Sequence, residues 1–299
     1  MQVYERIHSN LEYLKLNKIN EIIENYIEIA VKKDIPLIEA IDYLLAEEKN
    51  SKSDIALKMS TQIAGFPFRK SLEQFDFGFQ PSIEKKHILE LQTMRFIHDN
   101  ENVVFLGPPG VGKTHLSIAL GLEAIRNRLS VYYINCHELI HQLNMAQHQN
   151  KLKQKLKTLS KHKLLIIDEV GYLPFDKQAA NLFFQLISLK YEKSSIILTS
   201  NKHFGDWGEI FGDNVIASAI LDRLLHHSSV ISIKGQSYRI KNRKNTFFSG
   251  GDNKWLFNIF FNTIDGFSIN IFDYFSISID ISAAFGPGLT METMVLENV

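Results

Sequence analysis

Residues 102–120 read NVVFLGPPGVGKTHLSIAL: five residues of strand character, a loop of glycine and proline, then apolar residues at helical spacing. Within it, GPPGVGKT at 107–114 fits G-x-x-x-x-G-K-[ST], the phosphate-binding loop. Glycines let backbone N–H groups turn inward around phosphate oxygens, and the N-terminus of the following helix adds its positive end. Gly107, Pro108, Pro109, Gly110, Val111, Gly112, Lys113, Thr114 and His115 are therefore the expected nucleotide-binding residues. In that chemistry Lys113 reaches the β- and γ-phosphates, and the Thr114 hydroxyl goes to Mg²⁺. A glycine turn before an ordinary helix is the bland alternative, which the strand–loop–helix context disfavours.

Downstream, KLLIIDEV at 163–170 is an apolar strand ending in two carboxylates. Asp168 at its end is placed to hold Mg²⁺, and Glu169 to polarise an attacking water, so hydrolysis is expected as well as binding. No N-K-x-D guanine reader follows, which favours adenine.

Working outward, apolar runs at NVVFL 102–106, VYYI 131–134, KLLIID 163–168, SIILTS 195–200 and VISI 230–233 alternate with helical patterns. Strands separated by helices predict an α/β fold with a mainly parallel sheet flanked by helices, and ligands at the carboxyl ends of its strands. Asn201 falls just past SIILTS, within reach of a γ-phosphate or attacking water, although an Asn ending a strand is more often a turn residue. Arg223, in AILDRLLHH, and Arg239, in GQSYRIK, read by position alone as solvated or ion-paired arginines.

Before this region, residues 1–65 are helical by spacing: Leu11, Leu14, Ile19, Ile22, Ile23, Tyr26, Ile27 and Ala30, then a second run opening at Pro36. A small all-helical N-terminal domain of three or four helices is expected at 1–65, and an ATP-binding domain at 66–245. An aromatic connector, FPFRKSLEQFDFGFQP at 66–81, joins them.

The 33 Lys+Arg and 33 Asp+Glu of the 299 residues cancel. Read naively, that balance argues against a polyanion partner, but the charges are segregated. Residues 1–65 carry a net −3, residues 66–245 a net +8 and residues 246–299 a net −5. In the cationic segment, KLKQKLKTLSKHK at 151–163 has six lysines and no acid. Leu152, Leu156 and Leu159 form one helical face, while Lys151, Lys153, Lys155 and Lys157 crowd the rest at spacings where like charges repel. A DNA backbone would relieve that repulsion and release counterions; the competing reading is a solvated lysine face. Lysine rather than bidentate arginine suits backbone contact with weak sequence preference.

Cys136 is the sole cysteine, which excludes an intrachain disulfide and a cysteine-rich zinc site. MQVYERIHSN has no signal-peptide h-region, and apolar runs stay below 18 residues, so a cytoplasmic protein with no membrane partner is expected. Residues 246–299 hold nine of the 21 Phe but one Lys, and Ile277, Ile279 and Ile281 alternate with polar residues as in a strand. This tail reads either as an added β-rich element or as out-of-frame or read-through sequence, the abrupt change of composition favouring the second.

GPPGVGKTHL, LLIIDEVGYLPFD and LTSNKHFGDWGEIFGDNVIASAILDRLLHHSSVISIKGQSYRIKNRK at 198–244 together closely resemble the IstB-like family. These are ATP-binding helper proteins of insertion sequences, related to DnaC-like helicase loaders within the AAA+ ATPases. The resemblance covers roughly residues 5–245. It implies a P-loop AAA+ fold, ATP and Mg²⁺ as cofactors, ATP-dependent homo-oligomerisation with shared ATP sites on duplex DNA, and stimulation or targeting of a partner transposase. It also implies that Lys113 and Thr114 act as Walker A, Asp168 and Glu169 as Walker B, and Asn201 as sensor 1. By the same resemblance Arg223 is the arginine finger that reaches a neighbouring subunit, and Arg239 the sensor 2 arginine of its own. The sequence departs from the family before AGFPF, where SKSDIALKMSTQI offers Lys52 and Lys58 in place of the usual arginines, and in residues 246–299, which lie beyond the family's usual end. A helicase loader acting in DNA replication, or a non-hydrolysing module with ATP as a static clamp, are the alternatives.

Overall fold

The computed structural model describes residues 2–239; the tail reading at 246–299 lies outside them. Three helices come first: α1 (Gln2–Tyr13), α2 (Asn17–Lys32) and α3 (Leu37–Ile63). After the connector come α4 (Lys85–Leu91), α5 (Arg95–His98) and β1 (Asn102–Leu106), then α6 (Lys113–Arg126) and β2 (Val131–Asn135). The chain continues through α7 (Cys136–His148), α8 (Leu152–Ser160), β3 (Leu164–Val170), α9 (Lys177–Lys190) and β4 (Ser195–Ser200). Last come α10 (Trp207–Phe211), α11 (Asn214–Leu225) and β5 (Ser228–Ser232).

All five strands pair in parallel, in the order β2-β3-β4-β1-β5. The expected P-loop AAA+ α/β architecture is thus present, with β4 inserted between β3 and β1. Side chains alternate across the sheet, and helices cover both faces. Val103 and Phe105 pack with Leu116, Leu120 and Ala124 of α6, whereas Val104 and Leu106 join Leu139, Leu143, Phe183 and Leu186 of α7 and α9. Burial on both faces is why the central strands read as continuous apolar runs. Buried Asn102 ties the start of β1 to its surroundings: its amide donates to the Leu224 carbonyl (3.0 Å) and accepts from Ile196 N (2.9 Å).

The first three helices bury little: Ile19 is their one buried apolar residue. Their packing uses polar capping instead. Glu48 of α3 is buried and accepts from Lys18 N (2.8 Å) and Ile19 N (3.0 Å), in the unsatisfied first turn of α2. Beyond the end of α3, the Ala64 carbonyl accepts from Tyr133 N (2.8 Å), tying this segment to β2. Among the described residues no helix is long and apolar enough to cross a membrane.

Candidate functional site

The carboxyl ends of the strands open into a cleft of about 680 Å³, within the range of small-molecule sites. Pro109 to His115, Asp168, Glu169, Asn201 and Arg239 all line it. The loop after β1 fits tightly under its neighbours. Gly107 has φ 148°, and a Cβ there would run into the Ile233 carbonyl; Gly112 has φ 103°, and a Cβ would strike the Phe75 ring. The Lys113 ammonium donates to the carbonyls of Gly107 (2.7 Å) and Pro108 (2.9 Å). Burial draws its pKa down to about 8 against the attraction of Asp168 and Glu169, and nearby Arg239 pushes the same way as burial. His115 lies against Phe75 and bonds the Ser71 carbonyl (2.8 Å); burial lowers its pKa.

Asp168 is 3 % exposed and fully engaged. It accepts from Thr114 Oγ1 at 3.0 Å on both oxygens, from Tyr133 OH at 2.7 Å and from Thr199 Oγ1 at 2.5 Å. Burial and the neighbouring Asp168 push the Tyr133 phenol well above its ordinary range, so its hydroxyl stays a donor. Glu169 follows at a register shift in the β3–β4 pairing, with φ 61°. That left-handed conformation costs on the order of 1–3 kcal/mol. Two bonds offset it: Glu169 N donates to Thr199 Oγ1 (2.9 Å), and Asn135 Nδ2 donates to Glu169 Oε2 (2.6 Å). Asn201 Oδ1 is buried without a hydrogen-bond partner among the described residues.

The profile of IstB-like ATP-binding proteins matches residues 9–246. The chain belongs to the IstB-like ATP-binding protein family. It is 46 % identical over 238 residues to the insertion sequence IS232 ATP-binding protein of Bacillus thuringiensis subsp. berliner, spanning 80 % of this chain and 95 % of that one. To the insertion sequence IS21 ATP-binding protein of Pseudomonas aeruginosa it is 47 % identical over 234 residues, spanning 78 % and 88 %. AMPPCP-bound DnaA from Aquifex aeolicus is similar with a TM-score of 0.49 at 20 % identity, over 67 % of this chain and 62 % of that one.

Other expected residues of this IstB-like chain lie elsewhere. Arg223 on α11 is outside the cleft lining; its guanidinium sits 4.7 Å from the centroid of the Phe184 ring and donates to the Ala219 carbonyl (3.0 Å). Of the lysines on and beside α8, Lys151, Lys153 and Lys157 are exposed and Lys155 is half-buried. Leu156 and Leu159 point into the core. None of the four lysines forms an ion pair with a described residue.

Sequence reasoning missed Tyr133, Asn135 and Thr199. No local pattern marks them: Asn135 stands opposite Asp168 only through the pairing of β2 with β3. It also missed that the connector forms a wall of the cleft, through Pro67, Phe68, Arg69, Lys70 and Phe75.

Proposed function

We propose that this chain is an ATP-hydrolysing transposition helper. It binds ATP with Mg²⁺ in the cleft, oligomerises on duplex DNA with ATP sites shared between subunits, and stimulates or targets a partner transposase. Hydrolysis then releases or resets the assembly. The observation that carries this reading is the convergence of Lys113, Thr114, Asp168, Glu169, Asn201 and Arg239 on one cleft.

The donor set fits Mg²⁺: Thr114 Oγ1 lies 3.0 Å from both Asp168 oxygens, hard donors of the kind that ion selects. When bound, the ion would neutralise charge developing on the phosphates. The remaining chemistry falls to side chains. Lys113 exchanges its two loop carbonyls for phosphate oxygens. Glu169 accepts the proton of the attacking water once Asn135 releases it. Asn201 offers its amide to the same water or to the γ-phosphate, and Arg239 stabilises that phosphate in its own subunit. Arg223, outside its own cleft, serves a neighbour's. The four lysines around α8, which form no ion pair with a described residue, meet the DNA backbone.

Phosphate release measured with duplex DNA, with single-stranded DNA and without DNA tests the reading. Glu169→Ala is expected to keep ATP binding and lose turnover; wild-type turnover in that variant removes the role. Stronger stimulation by single-stranded than by duplex DNA would favour a helicase loader, and no phosphate release at all a static ATP clamp.

A further inference from the structure

Away from the nucleotide cleft, three donor side chains converge where two turns meet. Glu192 lies in the turn between α9 and β4, and His226 and His227 lie between α11 and β5. Glu192 Oε1 stands 3.7 Å from His226 Nδ1 and 3.9 Å from His227 Nε2, and the imidazole centroids are 4.1 Å apart. The three donor atoms lie within 4.8 Å of one another, the one such trio of His, Cys, Asp and Glu among the described residues. Both turns precede strands, so the cluster sits at the opposite end of β4 and β5 from the cleft.

At 3.7 and 3.9 Å the carboxylate makes no short hydrogen bond to either imidazole, and two protonated rings this close would repel each other. A cation that takes a lone pair from each nitrogen resolves both difficulties. In a tetrahedral site with bonds of roughly 2.0–2.2 Å, donors stand about 3.4 Å apart. The three side chains need to close by only a few tenths of an ångström to more than one, and all three are exposed. Two imidazoles with one carboxylate suit Zn²⁺ and its late first-row neighbours, whereas Mg²⁺ and Ca²⁺ prefer oxygen alone. Tyr191 OH now bonds His226 Nδ1 at 2.8 Å. Ion binding takes over that lone pair and displaces the phenol.

We propose that Glu192, His226 and His227 bind one Zn²⁺ ion, clamping the α9–β4 turn to the end of α11. Because Arg223 lies three residues before His226, the clamp also fixes the end of the helix that carries it.

The test uses the full chain, stripped with chelator and then titrated with ZnCl₂ in excess Mg²⁺, which occupies the oxygen-rich cleft. One equivalent is expected to bind well below the order of 0.1 mM, and Co²⁺ in its place to give intense visible bands of tetrahedral geometry. His227→Ala and Glu192→Gln, both surface changes checked for folding by circular dichroism, are each expected to weaken binding about tenfold or more and to quench the bands. Unchanged affinity in both variants would place the ion elsewhere. Absence of binding in the wild type below that concentration overturns the site outright.

Discussion

Asn135 Nδ2 holds Glu169 Oε2 at 2.6 Å, while Asn135 Oδ1 accepts from His137 N (2.9 Å) at the start of α7. One amide thus caps a helix and restrains the carboxylate proposed to activate water. While that bond holds, Oε2 is occupied and turned towards Asn135, not towards an attacking water. Asn135→Ser keeps an oxygen for the cap but loses the reach to Glu169. If the bond contributes about 1 kcal/mol, DNA-free turnover rises about fivefold and stimulation by DNA shrinks correspondingly. Phosphate release with and without duplex DNA measures both. A drop to the Glu169→Ala level would instead make Asn135 a positioning residue for catalysis.

Tyr133 presents a second, separable effect. Its hydroxyl donates to Asp168 Oδ2 (2.7 Å) and its backbone N to Ala64 beyond α3. Tyr133→Phe leaves the ring against Phe66 and removes only the donor. With an oxygen of Asp168 less firmly oriented, the Mg²⁺ concentration for half-maximal turnover is expected to rise about five- to tenfold, for about 1–1.4 kcal/mol, with little change at saturating Mg²⁺. A lower rate at saturation with unchanged Mg²⁺ dependence would contradict this.

The parts of this fold legible in the sequence are those that local pattern determines. β1, β3 and β4 are buried on both faces, so their apolar runs stand out. The phosphate loop declares itself because the Gly107 and Gly112 backbones admit no side chain. Asn135 and Tyr133 carry no such mark: their roles depend on the β2–β3 register, which pairing across the sheet determines. The bulge at Glu169 was equally hidden, because Thr199 and Asn135, both distant in sequence, stabilise it. Helical spacing revealed α2 and α3 but not how little they bury, since spacing reports periodicity and not what covers the apolar face.

The lysines around α8 give a test by salt. Replacing Lys151, Lys153, Lys155 and Lys157 by Gln keeps helix propensity and the Leu156 and Leu159 anchors. Removing one lysine from a DNA phosphate lowers the slope of log affinity against log salt by roughly 0.9, so the slope of the fourfold variant is expected to fall by up to about 3.6. Measured on duplex DNA across a salt series, an unchanged slope would return these lysines to a solvated surface.

Lys190, in the last turn of α9, has a side chain fully shielded from solvent whose ammonium donates to the His162 carbonyl (2.9 Å). It has no carboxylate within ion-pairing distance among the described residues. Burial, reinforced by Lys163, lowers its pKa to about 8 from 10.5. Between those values the unfolded chain holds more protons than the folded one, so this group makes stability rise with pH from about 8 to about 10.5. Below pH 8 both states are charged and the cost of burial is present in full, about 3 kcal/mol at most. Lys190→Met removes that cost but leaves the His162 carbonyl without its donor, a loss of about 1–2 kcal/mol. The variant is therefore expected to be about 1–2 kcal/mol more stable at pH 7, an advantage that shrinks and then reverses towards pH 10.5. Urea unfolding of both proteins at pH 7, 8.5 and 10 reads the difference, in which the other titrating groups cancel. A constant difference across the three values would mean that Lys190 titrates alike in the folded and unfolded chains.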